Sequence, residues 1–335
     1  ALTFNYTVQA GDESLDLDYV ATDSLGLNGG TIQDAALNDA TLTLAAPGAA
    51  NSLGASASIV VDGVVPDLVN FAFPGGTITN ASTLVYDLEF TEEISGLDSA
   101  DFNIVTTGTL SATITAILYS GTPGVYTVEV EAIGDGDLTL ELLDDGTIVD
   151  TVGNLFRGDL NTTVSAPTVT VDQTVPTVSV SRGDPNPTNA SEVDFLVDFS
   201  EAHTGFTLDD LEIVTTLSLT YISNFNQTSA TSYTITVNTG TGTGTLQLNF
   251  LDDDTVIDAA GNPIDGPGSA TISGPVYDVD RTPPLVDSVA VVGSNPTNAS
   301  SVDFLVTFTE AVSQLTAANF ALSQSGGLGA TITNV

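Results

Sequence analysis

Thr188-Asn-Ala-Ser-Glu-Val-Asp-Phe-Leu-Val-Asp-Phe-Ser-Glu201 is the stretch from which the fold can be read. Val193, Phe195, Val197 and Phe199 fall on one side of an extended chain, while Asp194 and Asp198 fall on the other. A period of two with one apolar face predicts a half-buried antiparallel strand. The same text returns up and down the chain. Thr-Asn-Ala-Ser stands at Thr79–Ser82, Thr188–Ser191 and Thr297–Ser300, each copy 109 residues from the next. Leu84, Tyr86, Leu88 and Phe90, and then Val302, Phe304, Val306 and Phe308, repeat the alternation. Phe90-Thr-Glu92, Phe199-Ser-Glu201 and Phe308-Thr-Glu310 close it each time, and Asp101-Phe102, Asp210-Leu211 and Asn319-Phe320 follow at the same interval. A fixed period of this size means copies of one domain, and residues shared by the copies are fold determinants first.

Further alternating runs occupy Tyr126–Val130, Leu138–Leu142, Tyr233–Val237 and Leu246–Phe250, separated by Gly, Asp, Asn, Pro and Ser clusters that supply turns. No stretch keeps a helical period beyond about one turn. About seven short strands per roughly 100 residues predicts an all-β chain of tandem Ig-like (Greek-key) β-sandwich domains arranged linearly. Val61-Asp-Gly-Val-Val-Pro66, Val171-Asp-Gln-Thr-Val-Pro176 and Val279-Asp-Arg-Thr-Pro-Pro284 read as the linkers. The expected parts are residues 1–63, the C-terminal half of a domain; 64–174 and 175–282, two complete domains; and 283–335, the N-terminal half of another. Phe4-Asn-Tyr6-Thr-Val8 aligns with Tyr126-Thr-Val128 and Tyr233-Thr-Ile235, while Ala330-Thr-Ile-Thr333 aligns with Ala112-Thr-Ile-Thr115. The half missing at one end is therefore what the other end supplies. Either the sequence is a window from a longer array, or the 283–335 half of one chain is completed by the 1–63 half of a neighbouring chain, a head-to-tail contact that makes a filament.

Asp150-Thr-Val-Gly153-Asn154 and Asp258-Ala-Ala-Gly261-Asn262 are preceded by strand text. Together with the Phe-Ser/Thr-Glu motif, the Asp-Phe pair and the Val-Asp-x-Thr-x-Pro linker, they make the chain resemble the bacterial Ig-like repeat domains of large secreted surface proteins. The resemblance covers essentially the whole chain. It implies an extracellular, cell-surface location in a prokaryote. It also implies a structural role in an adhesin, a biofilm protein, a surface stalk or an extracellular filament. In the first segment Asp34-Ala-Ala-Leu37-Asn38 has Leu at the Gly position. Leu is strained at positive φ, so that turn is expected not to superpose on the others.

Composition narrows function. Of 335 residues 43 are Asp or Glu and 3 are Lys or Arg, giving a formal charge of −40, while 41% are hydrophobic, enough for packed cores. So acidic a chain lacks the basic footprint that nucleic acid or an anionic membrane requires. No run approaches the length of a spanning helix. Cys is absent, so the disulfide of antibody domains is absent too. The charge is expected either to need divalent ions or to reflect salt, since the Debye length shrinks to about 3 Å at 1 M.

Two kinds of site are suggested. Asp62, Asp172 and Asp280 recur just before the seams, and Glu92, Glu201, Asp144, Asp145, Asp252 and Asp253 stand at strand ends from which they could converge there. They are the candidate Ca²⁺ ligands, because that ion takes six to eight oxygens and can bridge two domains. The alternative is that they are solvated turn formers. Asn80, Asn189 and Asn298, with Asn5, Asn161 and Asn226, satisfy the glycosylation rule, although turn formation explains the periodic three. Enzymatic activity is not expected. His203 is the single His, Lys and Cys are lacking, and the acids are periodic. The alternative to a structural role is a glycan- or protein-binding module, for which Tyr221 and Phe225 are the noticeable aromatic pair, or an accessory domain of a secreted hydrolase. The expected partners are copies of itself or adjacent Ig-like repeats, together with an adhesion ligand.

Overall fold

The computed structural model describes residue 3 and residues 5–158, 163–327 and 329–335. Phe4 and Asn161 lie outside the described residues. The chain divides into two compact units. One comprises Ala1–Thr177, Glu201–Gly205 and Asp254–Gly268; the other comprises Val178–Ser200, Phe206–Asp253 and Ser269–Val335.

The first unit holds β1 (Glu13–Ser14), β2 (Val61–Asp62), β3 (Leu68–Ala72), β4 (Ile78–Thr79), β5 (Thr83–Phe90), β6 (Ile94–Ser95), β7 (Phe102–Thr106), β8 (Ser111–Tyr119), β9 (Val125–Ile133), β10 (Gly136–Leu143), β11 (Val149–Asp150), β12 (Thr163–Ser165) and β13 (Val169–Val171). One sheet runs β3-β5-β9-β8; the facing sheet runs β12-β10-β13-β4 with β7 also on β10. β5 alternates without a fault: Leu84, Tyr86, Leu88 and Phe90 are buried and their neighbours exposed. Val128 and Val130 on the neighbouring β9, with Leu138, Leu140, Leu142 and Val171 from the facing sheet, complete the core.

The second unit repeats this plan. β14 (Val178–Arg182), β15 (Glu192–Phe199), β16 (Leu211–Thr215), β17 (Tyr221–Gln227), β18 (Ser232–Asn238), β19 (Gly244–Asp252) and β20 (Ala270–Val279) form sheets ordered β14-β15-β18-β17 and β16-β19-β20. Phe195 and Val197 are fully buried on β15, as the alternation predicts. Phe199, Phe206, Tyr233 and Phe250 pack edge-on or tilted around one another, with centroids 4.8 to 6.0 Å apart. Phe225 joins that cluster, 5.1 Å from Phe206, so only Tyr221 of the pair considered for ligand binding stands free on the surface. The recurring Asp-Phe pair is a folding device. Asp98 N–H donates to Asp101, and Thr207 N–H to Asp210, capping a single 3₁₀ turn in each copy.

The flanking segments differ. β21 (Val286–Val292) and β22 (Asp303–Phe308) form one antiparallel hairpin that leaves Val289, Phe304 and Leu305 more than half exposed. Residues 5–9 belong to no strand, although the match to β9 and β18 predicts one there. The turn at Asp34–Asn38 keeps part of the motif, although Leu37 N–H meets the Asp34 backbone carbonyl and not its carboxylate. Leu37 takes φ 63°, and Asp34 holds the Asn38 N–H and side chain just as Asp150 and Asp258 hold theirs. The hydrogen bonds to Asp34 over-determine the turn and hold Leu in the left-handed region. The fold class is as the sequence implies: all-β, with β-sandwiches of antiparallel sheets. Among the described residues, no helix is long and apolar enough to cross a membrane.

Candidate metal centres

The linker aspartates first shape their own turns. Asp62 accepts from Val64 N–H (3.1 Å), Asp172 from Thr174 N–H (3.1 Å) and Asp280 from Thr282 N–H (2.9 Å). Each is an Asx turn that leaves one carboxylate oxygen of the aspartate for other work.

The Asp-x-x-Gly-Asn loops are the second part. One oxygen of Asp150 accepts the N–H groups of Val152, Gly153 and Asn154 at 2.9, 2.7 and 2.8 Å, and the other accepts the Asn154 side chain at 2.7 Å. Asp258 repeats this with Ala260, Gly261 and Asn262 at 2.8, 2.7 and 2.9 Å, and with the Asn262 side chain at 2.8 Å. Winding three N–H groups onto one oxygen demands positive φ at the fourth residue, which is why Gly153 (98°) and Gly261 (94°) stand there. The Asn then latches the linker. Asn154 Nδ2 donates to the Asp62 and Val64 carbonyls, both at 3.0 Å, and Asn262 Nδ2 to the Asp172 carbonyl at 2.9 Å. Three residues further on, Arg157 N–H reaches the Pro66 carbonyl and Asp265 N–H the Pro176 carbonyl, each at 2.8 Å.

These latches carry a third carboxylate to each aspartate pair. One oxygen from each of Asp62, Glu92 and Asp150 lies within 4.8 Å of the other two, and Asp172, Glu201 and Asp258 do the same. All six residues belong to the first unit. Gln173 and Thr174 fix the second linker further: Gln173 N–H and the Thr174 hydroxyl each meet the Asp135 carboxylate at 2.6 Å.

The electrostatics are those of crowded anions. Burial first, then the charges of Asp150, Asp62 and Glu13, pushes the Glu92 carboxyl above its ordinary range. Burial, then Asp172, Asp258 and Asp135, does the same to Glu201. For Asp150 burial is the largest single influence and acts upward, but the Asn154 side chain and the loop N–H groups together outweigh it and hold the group low. The arginines are engaged elsewhere. Arg157 pairs with Asp67 at 2.6 Å, Arg182 donates to the Val276 carbonyl, and Arg281 to the Gly242 and Ala190 carbonyls and the Thr239 hydroxyl. The donor set is all-oxygen, anionic and hard, which fits Ca²⁺ and does not suit soft metals. Three carboxylates leave the remaining ligands to carbonyls and water.

Of the candidate ligands, then, Asp62 joins Glu92, and Asp172 joins Glu201. Asp280 lines an open groove with Glu310. Asp144 and Asp145 turn the next loop, accepting from Gly146 and Thr147 N–H, and Asp252 is buried at the end of β19. Neither they nor Asp253 enter the two clusters. Asp150 and Asp258 complete the clusters but were absent from the ligand set drawn from sequence. The repeated Asp-x-x-Gly-Asn was the available signal. His203 Nδ1 lies 3.3 Å from the Glu201 carbonyl, and burial lowers its pKa.

No family model and no curated protein matches the chain. Among solved structures it is similar to the adhesin InvE of Yersinia pseudotuberculosis, with 14% identity over 66% of each chain and a TM-score of 0.23. It is also similar to domains 4–9 of the surface layer protein SbsC, with 15% identity over 70% of this chain and 34% of that one and a TM-score of 0.19. Domains 5–6 of the same S-layer protein match at 16% identity, covering 65% of this chain and all of that one, with a TM-score of 0.18. The matched part thus spans just under two thirds of the adhesin and about one third of the longer S-layer fragment.

Proposed function

We propose that this chain is a structural module of an extracellular filament or long surface stalk of a prokaryote, whose work is mechanical and not catalytic. The observation that carries the reading is the duplicated latch. Two linkers 110 residues apart are each tied by an Asn side chain and a loop N–H at equivalent points. A repeat that spends its most elaborate hydrogen bonding on holding its linker is built to transmit force along a chain of repeats. The periodic acids support the reading, since the latches and turns account for them without a reacting group.

In this proposal Ca²⁺ is held by Asp62, Glu92 and Asp150 at one site and by Asp172, Glu201 and Asp258 at the other. The ion supplies positive charge that relieves the repulsion raising both glutamates, and it fixes the linker turn to the Asx loop. The partners are further Ig-like repeats or copies of this chain. Antibodies raised against it test the function on intact cells of the source organism. Immunogold label along thin fibres or stalks outside the envelope is the expected result, and label confined to the cell interior would overturn it.

A further inference from the structure

β5 and β15 are each flanked on both sides, by β3 and β9 and by β14 and β18. β22 is their counterpart in the third copy and has β21 on one side only. Its inward residues show the consequence. Val193 and Phe195 on β15 are 1% and 0% exposed, whereas Val302 and Phe304 are 42% and 54% exposed. The strand missing from β22 is one of the type of β9 and β18, which carry Tyr126-Thr-Val128 and Tyr233-Thr-Ile235. This text occurs once more, as Tyr6-Thr-Val8, in a segment that belongs to no strand and holds Tyr6 and Val8 54% and 47% exposed. Two of the three such segments are used; among the described residues the third pairs with no strand, and β22 pairs with β21 alone.

We propose that the segment around Tyr6–Val8 of a second copy adds as a strand to the free edge of β22, deepening the structural reading above by naming the partner on which it rests. The register follows from the complete copies. Leu88 faces Tyr126 and Val197 faces Tyr233, while Tyr86 faces Val128 and Phe195 faces Ile235. The partner's Tyr6 therefore faces Val306, and the partner's Val8 faces Phe304. Strand addition of this kind supplies main-chain hydrogen bonds for affinity and alternate side chains for specificity. Because each copy offers one segment and one edge, the contact is heterologous and propagates. Both surfaces lie in a chain of charge −40, so association strengthens with added salt, which screens the repulsion between copies.

Two variants of the whole chain test this. Phe304→Asp spoils the edge and keeps the segment; Tyr6→Asp spoils the segment and keeps the edge. Both positions are exposed in the free chain, and unchanged melting of the sandwiches confirms that the variants fold. Sedimentation in moderate salt is expected to show the unmodified chain growing with concentration while each variant stays monomeric. An equimolar mixture of the variants doubles in mass and stops there, because one intact segment meets one intact edge. An unmodified chain that is monomeric at every concentration and salt, variants that still assemble, or a mixture that stays monomeric overturns the proposal. Surface label along fibres alongside a strictly monomeric chain would retain the stalk reading and discard only strand addition.

Discussion

Replacing Asn262 by Ala puts the latch to its most direct test. The side chain is 6% exposed, and its Nδ2 donates to the Asp258 carboxylate at 2.8 Å and to the Asp172 carbonyl at 2.9 Å. A hydrogen bond to a charged partner contributes about 1.5–3 kcal/mol and a neutral one about 0.5–1.5 kcal/mol, so the loss is about 2–4 kcal/mol. A unit of roughly 200 residues loses roughly 2–4 °C in melting temperature per kcal/mol, which places the expected fall at about 4–16 °C for the transition of the first unit. Native-state hydrogen exchange locates the damage. The Thr174 amide, held by Asp172, should lose protection, while the β5 and β9 amides lose only what the global change dictates. Asn38→Ala is the control. Asn38 bonds Asp34 in the same way, among the described residues it holds no linker carbonyl, and it is exposed, so a change within about 0.5 kcal/mol is expected. A fall at Asn262 as small as the control's would refute the view that the Asn bears the linker.

Four further outcomes follow from the same geometry. Glu201→Gln removes a carboxylate crowded by Asp172 and Asp258, so calorimetry should show a higher melting temperature in chelator and a smaller gain on adding Ca²⁺ than the roughly 2.7 kcal/mol a site gives at a hundredfold excess over its Kd. Phe195→Ala empties a fully buried position and should cost about 3–5 kcal/mol in urea unfolding of the second unit. Leu37→Gly relieves a left-handed φ of 63° and should stabilise that turn by about 1 kcal/mol, seen as slower exchange of the Asn38 amide. Asp135 is held below its ordinary pKa by the Thr174 hydroxyl and the Gln173 N–H. Its folded state binds fewer protons than the unfolded one, so its contribution is present above the unfolded pKa of about 3.9 and fades as pH falls through the depressed value. Asp135→Asn should accordingly flatten the acid limb of a melting-temperature profile.

The strands were legible because burial on a sheet leaves a two-residue signature that needs no tertiary information, and Leu84 through Phe90 carry it without interruption. The Ca²⁺ candidates were half legible. Asp62 and Asp172 stand out beside the linkers, but Asp150 and Asp258 look in sequence like turn formers, which they are. Their place in the clusters depends on residues 58 and 57 positions away, Glu92 and Glu201, a distance over which no local pattern operates. Residues 5–9 match strand text because propensity and alternation are local, whereas a strand also needs a partner, and among the described residues they pair with none. Leu37 shows the limit of a side-chain rule: it takes φ 63° in a turn whose Ala36 and Asn38 N–H groups Asp34 still holds.

The latch has a consequence for how such a molecule changes over generations. Asp172, Glu201 and Asp258 all fall within one period, counted from the start of one linker to the start of the next, and so do Asn262 and the carbonyl it grips. Gene duplication or deletion in steps of one whole period therefore hands every new copy its own complete set of carboxylates and its own fastening. A step of any other length would orphan half of one. The number of copies can change with no joint having to be reinvented.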